Sequence, residues 1–494
     1  MSNSKSTLEN LIWKFSERIT AQIVTFIVSI VLARLLTPED YGVVSIVTIF
    51  ITIANVFVSD GLGSALIQKR TVDSLDYSSA LYFNIGFSTI VYFILFLLAP
   101  LISQFFGNGY EILTPVLRVL GLRIIIAAIN SIQQAYVSRE MIFKKFFWAT
   151  LFGTIVSSFV GIWMAYHGYG AWALVGQYLT NTMVDTIVLS VVLKKKPMLK
   201  FSLYRVKELF NYGIKILGSG LIIAIYTEVR SFIIGKVYSA SDLAYYDKAR
   251  QFPNLFVNNI VASISAVLFP KMASVQESVE KVKEITKQSI RFTSLLMCPL
   301  MLGLAAVAKT LIKVLLTDKW LPCAPLLQLL CINALWYPIH SANIQATKAV
   351  GRSDVILKVE IIKKTIETIM LACVMFISVD AIVVGMVANS TMFVMVNAYP
   401  NIKLLGYSLK EQILDIAPPL LMSIAMAIIV LFLNYIDLGD GALLLIQILS
   451  GVIVYTVLCK ATKNPEFEYI IQFTKQRIDK REEKDCGKEN NRIK

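Results

Sequence analysis

Long apolar runs recur along nearly the whole chain, and each is about as long as a helix that crosses a lipid bilayer. A helix needs about 20 apolar residues to span the hydrocarbon core. Fourteen stretches meet this condition: residues 12–36, 43–62, 78–102, 114–136, 146–166, 170–193, 208–235, 249–270, 290–316, 323–346, 354–378, 380–400, 415–435 and 441–459. The sequence therefore predicts an all-α integral membrane protein with about fourteen transmembrane helices.

The amino-acid composition supports this fold class and argues against several classes of function. The chain is 56% hydrophobic and only 16% charged, with a mean hydropathy of +0.66. A soluble globular domain has a far more polar composition. Six cysteines show no CxxC spacing, so neither a metal site nor a cofactor is expected. The sequence shows no nucleotide-binding loop and no nucleophile constellation, which argues against an ATP-driven pump and against an intramembrane enzyme.

Basic residues collect in alternate loops between the predicted spans, and this asymmetry predicts the orientation in the membrane. Loops on the cytoplasmic side of a membrane protein carry an excess of lysine and arginine. The basic loops hold Lys69, Arg70, Arg139, Lys144, Lys145, Lys194, Lys195, Lys196, Lys200, Arg205, Lys207, Lys271, Lys281, Lys283, Lys287, Lys348, Arg352, Lys358, Lys403 and Lys410. Both termini are therefore expected to be cytoplasmic. The net charge of +14 is then a membrane feature, with anionic lipids rather than nucleic acid as its partner.

A repeat divides the predicted spans into two halves. Asp40 and Lys69 recur as Asp242 and Lys271, both at a spacing of 202 residues. A recurrence at that distance suggests two homologous six-helix lobes in a parallel repeat. The sequence thus predicts an N-lobe at residues 1–193, a basic cytoplasmic linker at 194–207 and a C-lobe at 208–400. Two additional spans at 401–459 and a charged cytoplasmic tail at 460–494 follow.

Polar side chains inside several predicted spans lie on one helical face. In the first span Arg18, Gln22 and Thr25 have this spacing, and Asn55 belongs to a similar face of the second span. Ionisable groups within a span usually face a bundle interior or a water-filled cavity. Spans one, two, seven and eight are therefore expected to surround a central polar cavity. Its predicted cations are Arg18, Arg123, Lys215 and Arg230, and its predicted polar lining is Gln22, Thr25, Asn55, Asn254 and Asn258.

Other interpretations of these polar residues remain open. Polar stripes can simply join helices, and Arg230 has Glu228 nearby as a partner. Asp60 and Asp185 are candidates for carrying a coupling proton or sodium ion, or they serve as packing carboxylates. His167 and His340 each stand alone in the sequence, so a structural role is favoured over a catalytic one.

Two segments near the N-terminus carry a family resemblance. The stretch ARLLTPEDYGVVSIV (residues 33–47) and the following GLGSALIQKR (residues 61–70), together with the fourteen-span layout, resemble the polysaccharide-flippase (Wzx-type) branch of the MOP superfamily. The chain is most similar to the group that exports colanic acid and teichuronic acid. The resemblance covers nearly the whole chain, with the N-terminal motif its most specific part.

This resemblance implies both a fold and a function. It implies a V-shaped pair of six-helix lobes that work by alternating access in the bacterial cytoplasmic membrane. The expected substrate is an undecaprenyl-pyrophosphate-linked oligosaccharide, which moves from the cytoplasmic to the outer leaflet for O-antigen, capsule or exopolysaccharide synthesis. Membrane lipids and the polysaccharide polymerase machinery are the implied partners. The predicted cavity cations would then hold the pyrophosphate.

Four alternatives differ in what they require. A cation-coupled drug exporter of the same superfamily would favour carboxylates over the excess of arginine and lysine seen here. A lipid II flippase is a close relative with similar requirements. A membrane-embedded sugar transferase, polymerase or ligase would need a larger extramembrane loop than the short outer connections allow. A structural scaffold would not need charges in so many spans.

Overall fold

The computed structural model describes residues 20–59, 61–107, 109–193, 197–436 and 438–472, with the backbone alone at 211, 212, 215, 261–263, 265 and 266. These residues are almost entirely helical. The helices are α1 (Thr20–Leu35), α2 (Pro38–Ser59), α3 (Leu62–Gln68), α4 (Ser74–Phe106), α5 (Leu113–Glu140), α6 (Phe143–Tyr166), α7 (Ala171–Leu193), α8 (Leu203–Val237), α9 (Ala240–Ala273), α10 (Val279–Leu316), α11 (Cys323–Ala334), α12 (Tyr337–Ala349), α13 (Ser353–Val374), α14 (Val379–Leu405), α15 (Leu409–Phe432) and α16 (Asp440–Ala461).

Many of these helices begin where the sequence supplies a capping side chain. Asp73 and Asp76 form a capping box at α4, and Ser408 and Glu411 form another at α15. A side-chain oxygen at this position accepts a hydrogen bond from a backbone N–H that has no partner within the helix. Short polar segments between the apolar runs therefore fix where each long helix starts.

The repeated Asp40 and Asp242 have the same structural role. Asp40 accepts hydrogen bonds from the backbone N–H of Thr37 at 3.0 Å and from its hydroxyl at 2.7 Å. Asp242 accepts the same pair from Ser239, at 3.2 and 2.6 Å. Both aspartates thus stabilise the first turn of a long helix. The aligned lysines differ, since Lys69 is ion-paired while Lys271 is exposed.

The first compact unit contains residues 1–247. Antiparallel pairs α4–α5 and α6–α7 pack side by side, and α5 also contacts α2 and α7. A buried amide joins three of these helices. The Asn84 Nδ2 of α4 lies 3.0 Å from the Val58 carbonyl of α2, and 3.0 Å from the Ala128 carbonyl and the Ser131 hydroxyl of α5. A polar side chain in an apolar bundle is stabilised when neighbouring helices supply its partners.

The start of α2 approaches the start of α9 within this unit. A Cβ atom placed on Gly42 would lie 1.8 Å from the carbonyl oxygen of Ala240. Real Cβ atoms do not approach a backbone atom so closely, so this contact requires glycine. The backbone N–H of Ala240 also donates to the Tyr110 hydroxyl at 2.9 Å. The beginnings of two helices about two hundred residues apart are therefore in direct contact.

An ion-pair cluster joins the α3–α4 connection to the start of α8. We define it as the basic-loop cluster: Lys69, Asp73, Asp76, Arg205 and Glu208. Asp76 is 1% exposed, 3.0 Å from Lys69 and 3.6 Å from Arg205. Lys69 also contacts Glu208 at 2.9 Å, and Arg205 contacts Asp73 at 3.4 Å. Arg205 lies 132 positions beyond Asp73 and Glu208 lies 139 positions beyond Lys69, so the cluster fixes α8 against the α3–α4 connection.

The cluster shifts the pKa of two of its members. Desolvation by itself would lower the pKa of Lys69, but the hydrogen bonds and charges of Glu208 and Asp76 outweigh it, so the Lys69 pKa is raised. The pKa of Asp73 is lowered, first by the hydrogen bond it accepts from the backbone N–H of Asp76 and also by the Arg205 charge. Both groups are therefore held in their charged forms.

The second compact unit contains residues 248–494. Its long helix α10 contacts α11, α12, α15 and α16, while α14 packs against α11, α12 and α13. Here too buried amides join the helices. The Asn343 Nδ2 of α12 donates to the Gln412 Oε1 of α15 at 2.7 Å, and the Asn401 Nδ2 of α14 donates to the Asn343 Oδ1 at 2.7 Å.

The fourteen predicted spans agree only in part with the helices. Over the described residues, nine helices are long and apolar enough to cross a membrane, so the count of fourteen stays a prediction. The predicted span at 323–346 is in fact two helices, α11 and α12. Pro338, in the first turn of α12, cannot donate a backbone hydrogen bond to the carbonyl four residues earlier. The apolar pattern alone did not reveal this break.

The predicted linker and lobes also stay predictions. Of the linker, residues 197–202 precede α8, and the backbone N–H groups of Met198 and Ser202 donate to Ser78 and Ser79 of α4 at 2.8 and 3.0 Å. The division of the chain into two compact units falls after Asp247, inside α9, and not at this linker. The reason lies in α8, which packs on α2, α3 and α4 of the first unit.

Candidate functional site

The predicted cations are only partly within the described residues. Arg18 and Asp60 lie outside them, and Lys215 is placed on α8 by its backbone alone. Arg230 lies half-buried near the end of the same helix. The predicted cavity role of these residues therefore stays a prediction.

The predicted polar lining is distributed over three helices. In the first unit Gln22 is half-buried and Thr25 is exposed on α1, while Asn55 is half-buried on α2. The Asn55 Oδ1 atom is shielded from solvent and accepts no hydrogen bond from the described residues. In the second unit Asn254 and Asn258 are both exposed on α9, four residues apart and hence on one helical face.

Arg123 lies in a polar seam between α5 and α7. Its Nε donates to the Thr182 hydroxyl at 2.9 Å, and its guanidinium lies 5.6 Å from the centre of the Tyr178 ring. No carboxylate of the described residues lies within ion-pair distance of Arg123. A guanidinium in this setting keeps donors available for an anionic ligand, because a hydroxyl and an aromatic face do not neutralise its charge.

Asp185 lies one turn further along the same seam. Its Oδ2 accepts a hydrogen bond from the Asn130 Nδ2 at 3.1 Å, and Asn130 in turn accepts one from Gln134. The other carboxylate oxygen, Oδ1, is buried and has no hydrogen-bond partner among the described residues. A buried acceptor without a donor favours a proton or a cation as its partner.

Tyr178, Thr182 and Gln133 belong to this seam and were absent from the sequence prediction. Gln133 donates to the Ser190 hydroxyl at 2.6 Å and to the Thr186 carbonyl at 3.3 Å. A signal for part of the set was present in the sequence. Residues 178, 182, 186 and 190 are all hydroxyl side chains spaced four apart, which places them on one face of α7.

The two histidines have local hydrogen-bond partners. The ring of His340 lies 3.0 Å from the Asn397 amide and 3.4 Å from the Ser390 hydroxyl, so it joins α12 to α14. His167 contacts the Trp163 carbonyl at 2.8 Å, within its own helix end. Over the described residues there is no group of three or more histidine, cysteine or acidic residues that could hold a metal ion.

Comparison with known proteins identifies the family to which this chain belongs. A family described as polysaccharide biosynthesis protein matches residues 31–325, more than half of the chain. The succinoglycan biosynthesis transport protein ExoT of Rhizobium meliloti is 23% identical over 96% of this chain and 97% of its own length. The lipopolysaccharide biosynthesis protein WzxC of Escherichia coli is 23% identical over 72% of this chain and 70% of its own length.

Solved structures show the same fold. The lipid II flippase MurJ in an inward closed conformation has a TM-score of 0.72 at 16% identity, over 92% of this chain and 98% of that one. A multidrug resistance transporter of the MATE family in an inward-facing conformation has a TM-score of 0.59 at 14% identity, over 79% of this chain and 96% of its own. The family match and these relatives confirm the resemblance drawn from the N-terminal motif. The chain is a multi-pass membrane protein that belongs to the polysaccharide biosynthesis protein family.

Proposed function

We propose that this protein moves an undecaprenyl-pyrophosphate-linked oligosaccharide from the cytoplasmic to the outer leaflet, as a step in the synthesis of a surface polysaccharide. The observation that carries this proposal is the match, along nearly the full length of both chains, to a transport protein of succinoglycan biosynthesis. The fold shared with a lipid II flippase supports the same class of activity. O-antigen, capsule and exopolysaccharide synthesis all need such a step.

The physical problem is the desolvation of the head group. A charged pyrophosphate and a hydroxyl-rich sugar lose their hydration in hydrocarbon, at a cost of several kcal/mol for each unpaired group. A path lined with hydrogen-bonding side chains replaces that hydration, while the isoprenoid tail stays in lipid. Alternating access then exposes this path to one leaflet at a time, with Arg18, Lys215 and Arg230 as further proposed anion contacts.

Arg123 is the best-supported anion contact among the described residues. We expect Arg123→Gln to slow transport at least tenfold, because the substitution removes a guanidinium that no carboxylate of the described residues neutralises. The measurement is the translocation of a labelled lipid-linked oligosaccharide in proteoliposomes. Arg118→Gln is the matched control, since Arg118 lies on the same helix but packs on the Phe96 ring and donates to the Phe96 carbonyl. If both variants lose transport activity equally at equal protein abundance, Arg123 is not a specific anion contact of the substrate path.

Asp185 is the proposed coupling group, with its buried Oδ1 as the acceptor of H⁺ or Na⁺. We expect Asp185→Asn to abolish the response of transport to an imposed ion gradient, since an amide does not take up the ion. Downhill exchange without a gradient should persist. Separate pH and sodium gradients across the proteoliposome distinguish the two ions. If transport by the variant still responds to an imposed ion gradient, Asp185 is not the coupling group, and Asp60 is the next candidate.

Complementation tests the substrate class against the alternatives. Expression in strains that lack a known polysaccharide flippase should restore a surface polymer, and the polymer that returns identifies the saccharide. Rescue of a strain without its lipid II flippase, or drug resistance alone, would favour the other branches of the superfamily. We also propose that both termini face the cytoplasm, which fits the distribution of basic loops. The polymerase machinery is a further proposed partner.

A further inference from the structure

The connection between α7 and α8 exposes several large apolar side chains next to one another. Leu199 is 95% exposed, Tyr204 77% and Leu203 68%, and Phe201 and Met198 follow at 52% and 38%. We define these five residues as the apolar linker patch. Contiguous exposed apolar side chains of this kind mark a surface that meets a membrane or a partner rather than bulk water.

Helix α4 holds the backbone of this patch in place. The backbone N–H groups of Met198 and Ser202 donate to the hydroxyls of Ser78 and Ser79 at 2.8 and 3.0 Å. Both serines are buried near the start of α4. The Ser202 hydroxyl also accepts a hydrogen bond from the backbone N–H of Arg205, as the cap of α8. The backbone is therefore attached on both sides while the apolar side chains stay exposed.

The apolar linker patch lies within a stretch of uniformly positive charge. In the sequence, residues 194–207 contain six basic residues and no acidic one. Within the described part, Lys200 and Lys207 are exposed, while Arg205 pairs with Asp73 of the basic-loop cluster. Basic clusters beside a membrane attract anionic lipid head groups. The charge around the patch therefore complements an anionic lipid surface.

The connection between α9 and α10 provides an internal comparison, because it is also one of the loops predicted to be cytoplasmic. Its exposed residues Ser274, Gln276 and Glu277 are polar or acidic. A position on the predicted cytoplasmic side thus does not by itself bring exposed apolar side chains. The combination of apolar exposure and positive charge distinguishes the α7–α8 connection from this loop.

We propose that the apolar linker patch inserts into the interface of a leaflet that contains anionic phospholipid, with Lys200 and Lys207 next to the lipid head groups. Apolar side chains bury area at the boundary of the acyl chains, and lysines add attraction to the negative surface. Tyrosine is also enriched at this depth of a membrane. A neutral lipid surface would leave the positive charge without a partner. The inference goes beyond the proposed flippase function and does not depend on the substrate.

The test uses a fluorescent nitrobenzoxadiazole probe on Leu199→Cys in the full-length protein. Cys373→Ser and Cys486→Ser remove two native thiols, and the other four cysteines are buried. The protein is reconstituted in phosphatidylcholine with or without phosphatidylglycerol, and lipids that carry a shallow spin label quench the probe. We expect phosphatidylglycerol to increase the quenching at least twofold. The same probe on Gln276→Cys, in the comparison loop, should be quenched little in either mixture.

Two variants of the probed protein test the charged and the apolar contribution separately. Lys200→Gln with Lys207→Gln should remove the increase that phosphatidylglycerol causes. Phe201→Ser with Tyr204→Ser should lower the quenching about twofold in both mixtures. All four side chains are exposed, so both variants are expected to fold. If the lysine variant is poorly expressed, the serine variant decides.

Three results would overturn the inference. Equal quenching at position 199 in both lipid mixtures would show that the patch meets lipid without preference for negative charge. Quenching as weak as at position 276 would show that the patch is not inserted in the membrane, and a protein partner would then be its occupant. An increase with phosphatidylglycerol that persists in the lysine variant would show that these two lysines do not contact the head groups.

Discussion

Gly42→Ala is expected to destabilise the protein by about 3 kcal/mol, a large effect for the addition of one methyl group. The new Cβ would lie 1.8 Å from the Ala240 carbonyl oxygen and 2.2 Å from its carbon. Both are backbone atoms, so no side-chain rotation relieves the clash and the starts of α2 and α9 must separate. Thermal unfolding of the purified protein in detergent measures the effect, and transport in proteoliposomes should fall with it.

Gly86→Ala is the matched control for this prediction. Gly86 also lies inside a long helix, α4, but apart from the backbone of its own helix no atom of the described residues lies within 4 Å of a Cβ placed there. Alanine is the better helix former by about 0.5–1 kcal/mol, so this variant should be as stable as the wild type or slightly more stable. If both variants unfold at the same temperature as the wild type, the close approach of α2 to Ala240 does not exist in the folded protein.

Asp76→Asn is expected to have a comparable effect in the basic-loop cluster of the first unit. The carboxylate is 1% exposed and lies within ion-pair distance of Lys69 and Arg205. Asparagine removes the most buried charge of the cluster and leaves Lys69 and Arg205 with only Glu208 and Asp73, which are about half exposed. The loss of these charge-assisted hydrogen bonds costs on the order of 2 kcal/mol. The start of α8 should therefore become less firmly attached to α4. Unfolding in detergent and limited proteolysis near residues 197–207 would report this change.

The exposed pair of Arg352 and Asp354 supplies the control for the buried one. Its atoms are just as close, at 2.9 Å, but both side chains are about half exposed. Because exposed pairs contribute little to stability, Asp354→Asn should leave unfolding unchanged within error. An Asp76 variant as stable as the Asp354 variant would show that water reaches the basic-loop cluster and screens its charges.

The identity of most long helices could be predicted from the sequence, but their starts could not, since α9 begins at Ala240 and α10 at Val279 while the predicted spans begin at 249 and 290. The apolar runs located most of the long helices, and the 202-residue recurrence of Asp40 as Asp242 identified two residues with the same capping role. Both features are local, because a capping box and an amphipathic period involve residues only three or four positions apart. The break at Pro338 was missed because proline is also tolerated inside membrane helices, as at Pro100 of α4 and Pro299 of α10.

The candidate site was less predictable. The sequence singled out Arg123 and Asp185 but not Thr182 or Asn130 as their partners, because each pair joins α5 to α7 across more than fifty residues. Periodicity indicates which face of a helix is polar, but it does not indicate which helix that face meets.

By itself, the sequence determined the membrane environment, the all-helical class and the family, since these depend on composition, on local periodicity and on a short N-terminal motif. Only the tertiary structure decided that α8 packs with the first unit, that Gly42 lies against Ala240 and that Arg123 donates to the Thr182 hydroxyl. The physical reason is that contacts between distant helices depend on how whole faces pack together, and many different packings satisfy the same apolar pattern.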